Sequence, residues 1–201
     1  MKNNISKITL GLALVAILGV SCKKESATPS ENGQLAISGT KAVIPVNGTA
    51  TGGFTNSATT PSASGWGTVS YDLKNNLVVT SAPEALFNQN FNGNISAAPG
   101  YVLSYVDLPS AGSVADVTLA DLVAAEEIAT LGSNTATVIG WYNYNSSART
   151  IAPVAARYAV ISTNADFAVA TKVLVVQLTS IVGTGTGPYN TDVDFTTKRL
   201  K

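Results

Sequence analysis

Lys172-Val-Leu-Val-Val-Gln-Leu-Thr-Ser-Ile-Val182 is followed by Gly183-Thr-Gly-Thr-Gly-Pro188 and then by Tyr189-Asn-Thr-Asp-Val-Asp-Phe-Thr196. Leu174, Val176 and Leu178 fall on one face of an extended chain; Val173 and Val175 share the other with Gln177 and Thr179. β-Branched residues dominate, and they favour a pleated surface over a helix. The Gly-rich segment reads as a hairpin loop between two strands. Its glycine spacing is not that of a phosphate-binding loop, which would open a helix. With Arg157–Thr163 and the turn at Asn164-Ala165-Asp166 just upstream, three consecutive strands form an antiparallel meander.

Working outward, the same pattern recurs. Ala136–Tyr144 reads as a strand, Ile151–Val154 as a short one, and Tyr101–Asp107 as one rich in aromatic and branched residues. Trp66–Asp72, the turn Lys74-Asn75-Asn76 and Leu77–Thr80 carry a hairpin signal. Leu35–Ser38 and Lys41–Val46 are short alternating runs. Asn47–Gly65 is almost all Thr, Ser, Gly, Ala and Asn and reads as a long polar loop around Phe54. One segment departs from the β pattern. Thr118 is a hydroxyl cap with Asp121 three residues on, apolar residues recur to Leu131, and Gly132 is a stop, which predicts a helix near 118–131. Glu126 and Glu127 would be neighbours on it, pointing to different faces. The expected class is all-β with mostly antiparallel sheets and one short helix.

The N-terminus has its own logic. Lys2 and Lys7 precede the apolar run Ile8–Val20, which is too short to span a bilayer and has the form of a signal peptide. Leu18-Gly19-Val20-Ser21-Cys22 resembles a lipobox, with Gly19 where Leu is usual. Cys22 is the only cysteine in the chain, so no internal disulfide forms, and lipidation accounts for the odd thiol. The expected organisation is a signal peptide over 1–21, a flexible tether over 22–34 and one β-rich domain over 35–201. The expected localisation is a lipid anchor at the outer membrane or cell surface. Cleavage leaves ten basic against twelve acidic side chains, too little charge to steer nucleic acid.

The chain has no histidine. That removes imidazole acid–base work, Ser-His-Asp and Cys-His catalysis, and His-based zinc sites. The carboxylates show no spacing that pairs them for hydrolysis. No catalytic or metal residue is assigned, and a non-enzymatic role is expected. Asp192 and Asp194 share a strand face that suits either a calcium ion or plain solvent. Trp141-Tyr142-Asn143-Tyr144 places aromatics with polar tips at a strand end. That suits a ligand surface through Trp141, Tyr142 and Tyr144, or a core Trp141 with alternating tyrosines.

The order Trp141-Tyr142-x-Tyr144, Ile151-x-Pro153, Tyr158-Ala-Val-Ile-Ser-Thr163, Lys172 to Ser180 and Tyr189 to Phe195 resembles HmuY-like haem-binding lipoproteins over roughly residues 136–201. The resemblance implies a mostly antiparallel β fold that captures haem and passes it to a TonB-type outer-membrane receptor. The best-known members hold haem iron with His or Met. Here the only Met is Met1, within the signal peptide, so only tyrosines remain as iron ligands: Tyr142, Tyr144, Tyr101 or Tyr105. A porphyrin or other hydrophobic ligand held without axial ligation is an equal expectation. The alternative is a surface lipoprotein that has lost haem binding and contacts proteins or glycans through the 47–65 loop and exposed strand edges.

Overall fold

The computed structural model describes residues 42–201, and Ala36–Ile37 by backbone alone. The expected signal peptide, Cys22 and the expected tether lie outside the described residues. In chain order the strands are β1 Ala36–Ile37, β2 Thr49–Ala58, β3 Val69–Asp72, β4 Leu77–Val78, β5 Ala85–Asn88, β6 Asn94–Ala97 and β7 Val102–Asp107. They continue with β8 Glu126–Glu127, β9 Gly132–Ser133, β10 Gly140–Asn145, β11 Thr150–Pro153, β12 Arg157–Ser162, β13 Val173–Thr184 and β14 Tyr189–Arg199. The protein is all-β, and its sheets are mostly antiparallel.

The largest sheet has seven strands in the order β1-β2-β14-β13-β12-β7-β8. A four-stranded sheet runs β4-β3-β5-β6, and a three-stranded one runs β11-β10-β9. The β9–β10 pair is the parallel exception. The expected C-terminal meander is the centre of the large sheet, with Ala159 opposite Val176 and Leu178 opposite Phe195. Register shifts between Leu178 and Ser180. One extra residue there reverses the alternation, so Ile181 joins Leu174, Val176 and Leu178 on the same buried face.

Two cores follow from the two faces of this sheet. Phe54, Leu174, Val176, Ile161, Val193 and Phe195 of the large sheet pack against the smaller sheets through Tyr71, Phe87 and Trp141. The Phe87 ring is the hub, stacked on Phe195 at 5.3 Å and edge-on to Phe54 at 5.1 Å. On the opposite face Val173, Val175, Val160 and Tyr158 meet Val114, Val117 and Leu122 from the 108–125 connection. Gln177 ties that connection down by accepting from the Val114 amide at 3.0 Å.

Several expectations change. Asn47–Gly65 is a loop only over residues 59–65: Thr49–Ala58 is a ten-residue strand, inside the sheet and paired along its length with β14. Its small polar residues hid this. Phe54 is fully buried, and Gly52 lets the Tyr71 hydroxyl and the Phe195 ring come within 2.9 Å of where a Cβ would stand. The helix near 118–131 is a 3₁₀ helix over Leu119–Ala124. Thr118 stands at its N-cap, but Asp121 does the bonding: its Oδ2 accepts from the Thr118 amide and from the Thr118 hydroxyl, both at 2.7 Å. The chain then turns extended because Glu126 and Glu127 pair with Tyr105 and Ser104 of β7. These glutamates are therefore strand residues, and cross-strand pairing overrides the local helical preference. Trp66 precedes β3 rather than opening it. Ala42–Pro45 forms no strand, although Ile44 is buried and donates to Lys74 O.

Candidate functional site

The loop between β5 and β6 is strained. Gln89 has φ 64° and ψ −165°, and Phe91 has φ 59° and ψ 16°. The first pair lies in a region almost reserved for glycine, and a bulky residue is uncommon in the second. The surroundings hold the loop there. Asn92 is fully buried; its amide donates to Gly67 O and Phe87 O, and its Oδ1 accepts from Asn56. Thr191 Oγ1 donates to Phe91 O at 3.0 Å, and Trp141 Nε1 donates to Gly93 O at 2.7 Å.

This loop pushes the Phe91 ring between two hairpins. On one side is the end of the β13–β14 hairpin with Ile181, Gly183 and Tyr189. On the other is the β10–β11 hairpin with Tyr144, Arg149 and Ile151. Between them lies a cleft of about 510 Å³, within the range of small-molecule sites. Asn145 Oδ1 accepts from the amides of Ser147 and Ala148, both at 3.0 Å. This shapes the turn that carries Arg149, itself at φ 53°. Arg149 is the one charged residue on the cleft wall, so the cleft mixes apolar and uncharged polar surface with a single cation.

The sequence candidates separate. Tyr144 is 47% exposed and lines the cleft. Trp141 does not present a ligand surface: it is 1% exposed, packed near Phe87, with its N–H already donated. Tyr142 is 7% exposed and opens on a different groove. Tyr101 and Tyr105 do not reach the cleft. The Tyr101 hydroxyl accepts from Lys172 Nζ at 2.9 Å, and Tyr105 donates to Glu126 at 2.9 Å beneath the Arg157 guanidinium. Glu126 hydrogen bonding is the main reason the Tyr105 phenol titrates above its ordinary value. Asp192 and Asp194 are taken up by hydroxyls: Asp192 accepts from Thr55 at 2.6 Å and Asp194 from Ser180 at 3.0 Å.

Haem is the cofactor the sequence resemblance implies, and the cleft residues suit it. Phe91, Ile151 and Ile181 offer an apolar wall, Tyr144 a phenol and Arg149 a guanidinium for a carboxylate. Sequence reasoning missed Phe91 and Arg149. The Asn-rich stretch Gln89-Asn-Phe-Asn-Gly93 was the available signal, because Asn and Gly tolerate left-handed backbone.

The fold and the cleft together describe an all-β domain with a small-molecule-sized recess between hairpin ends. No protein-family model, no curated protein and no solved structure matches the chain.

Proposed function

We propose that this chain is a lipid-anchored cell-envelope binding protein that captures a flat, largely apolar ligand in the Phe91–Tyr144 cleft. The supporting observation is the strained loop. Backbone held in unfavourable regions by surrounding hydrogen bonds concentrates where function needs it, and here it sets an aromatic ring into a recess.

Haem or another porphyrin is the ligand this reading favours. Tyr144 would supply the iron ligand and Arg149 would pair with a propionate, while the iron would act as the Lewis acid that takes the phenolate. The anchor on Cys22 would hold the domain at the outer membrane or cell surface, within reach of a TonB-type receptor. The absence of imidazole and thioether from the mature chain supports a role in binding rather than turnover.

Titration of haem into the protein, followed at the Soret band, tests this. The expected result is a saturable shift at micromolar protein that changes in Tyr144→Phe and weakens in Arg149→Ala. Metal-free porphyrin should still bind to Tyr144→Phe if shape dominates. No saturable shift with either porphyrin would end this reading. The alternative, contact with proteins or glycans, would fall to residues 59–65 and exposed strand edges, because Thr49–Ala58 is an inner strand.

A further inference from the structure

The strained loop has a second side. Phe91 faces the cleft, while Gln89 and Asn90 line a separate groove of about 290 Å³ with Asn94, Ser133 and Tyr142. None of the groove's lining residues is charged. Val138 and Ile139 stand at its rim, 55% and 39% exposed.

Tyr142 is the telling residue. Four tyrosines of the protein are buried: Tyr71, Tyr105, Tyr142 and Tyr158. Tyr71 bonds Asn76, Tyr105 bonds Glu126 and Tyr158 bonds Ala111 O. Among the described residues nothing partners the Tyr142 hydroxyl. The Tyr142 ring is buried while its hydroxyl meets solvent in the groove, which leaves that donor and acceptor available to a ligand there. Burial alone raises its pKa, so it stays a neutral donor and acceptor at ordinary pH. The carboxamides of Gln89, Asn90 and Asn94 and the Ser133 hydroxyl likewise make no hydrogen bond among the described residues.

We propose that this groove binds a neutral saccharide residue, with the Tyr142 hydroxyl and the Asn90 and Asn94 carboxamides bonding its hydroxyls and the Val138–Ile139 rim meeting its C–H face. The chemistry selects this class. A sugar presents several neutral hydroxyls that each donate and accept, which amides and hydroxyls satisfy and isolated ions do not. Its ring also carries apolar C–H surface for the rim. The absence of lining charge disfavours phosphate and carboxylate ligands. A groove this small suits a single ring rather than a chain, since it lies at the lower end of ligand pockets, which run upward from about 300 Å³. The inference is independent of the haem cleft, which lies across the loop.

The test is calorimetric titration of the full chain, in a zwitterionic detergent, with methyl glycosides of mannose, galactose and N-acetylglucosamine. Triglycine serves as a neutral peptide control, and the corresponding trisaccharides separate a terminal residue from one within a chain. At least one glycoside should bind saturably in the millimolar range. Tyr142→Phe, which keeps the ring packing, and Asn90→Ala, at an exposed position, should each weaken it about threefold to tenfold, the worth of one hydrogen bond. Tyr144→Phe in the cleft should leave it unchanged. The proposal is overturned if no glycoside saturates, if triglycine binds and no glycoside does, or if Asn90→Ala and Tyr142→Phe both bind as the parent does.

Discussion

The Phe91 ring rests on the backbone of Gly183: a Cβ at that glycine would stand 2.5 Å from Phe91 Cε1 and 2.7 Å from Cδ1. Two remote segments, a strained loop and a hairpin strand, are thereby matched at a position with no side chain. Gly183→Ala should force the Phe91 ring out of its place, because its backbone is already pinned by Thr191. Affinity in the cleft should fall by roughly tenfold, the effect of an ångström-scale misplacement of a recess wall. Global stability should drop by about 1 kcal/mol or less, since the strand is exposed there. Porphyrin titration beside a urea melt separates the two. Unchanged affinity would mean that Phe91 is not part of the binding surface.

The strain itself can be measured. Gln89 sits at φ 64° and ψ −165°, a conformation that costs a non-glycine residue on the order of 1–3 kcal/mol. Glycine relieves that cost and gives back part of it as unfolded-state entropy. Gln89→Gly should therefore raise the unfolding free energy by about 1 kcal/mol in urea titration, against the usual destabilising effect of glycine. A loss of stability would show that the side chain, not the backbone, is what the site retains.

The anchor is a prediction about Cys22. Acylation of this thiol gives a membrane attachment far stronger than the marginal binding of a single chain. The mature protein should therefore partition into detergent phase and carry the mass of added acyl chains. Cys22→Ala should abolish both. Parent protein found in the aqueous phase at its unmodified mass would remove the anchor and the localisation built on it.

The regular β pattern was legible wherever hydrophobic side chains alternate, as in Val173–Leu178, because burial on two faces writes itself into the residue types. It was not legible in Thr49–Ala58. There Gly52 leaves room for Tyr71 and Phe195 to approach, Gly53 N–H donates to the Tyr71 hydroxyl, and glycine reads locally as loop. The strands Ala85–Asn88 and Asn94–Ala97 escaped for a related reason, being four residues each and flanked by turn formers. The candidate site was half legible. Aromatic residues with polar tips flagged β10, but which of Trp141, Tyr142 and Tyr144 faces outward depends on the packing of Phe87 and Gly93, which are distant in sequence. Phe91 and Arg149 owe their positions to left-handed backbone, and a residue type alone does not announce that.

Alkaline stability gives the sharpest test of the core. Tyr71 is fully buried, and desolvation pushes its phenol up to about 12, with Asp72 adding to the rise and the Gly53 N–H opposing it. An unfolded tyrosine titrates near pH 10. Between about pH 10 and 12 the unfolded chain loses this proton while the folded one keeps it. The unfolded state then binds fewer protons, so stability must fall as pH rises. At about 1.4 kcal/mol per unit, the loss attributable to Tyr71 is roughly 2–3 kcal/mol across the window. Tyr142 and Tyr158, whose phenols burial also raises, act with the same sign. So does Lys172: desolvation lowers its pKa, but hydrogen bonds to Glu84 and Tyr101 outweigh that and raise it. The difference between parent and Tyr71→Phe isolates one group. The variant should be less stable near neutrality by about 1–2 kcal/mol, having lost the bonds to Asn76 and Gly53, and should show a shallower decline from pH 10 to 12. Urea midpoints at intervals of half a pH unit measure both slopes. Parallel slopes would mean that the Tyr71 phenol ionises as readily inside the fold as outside it.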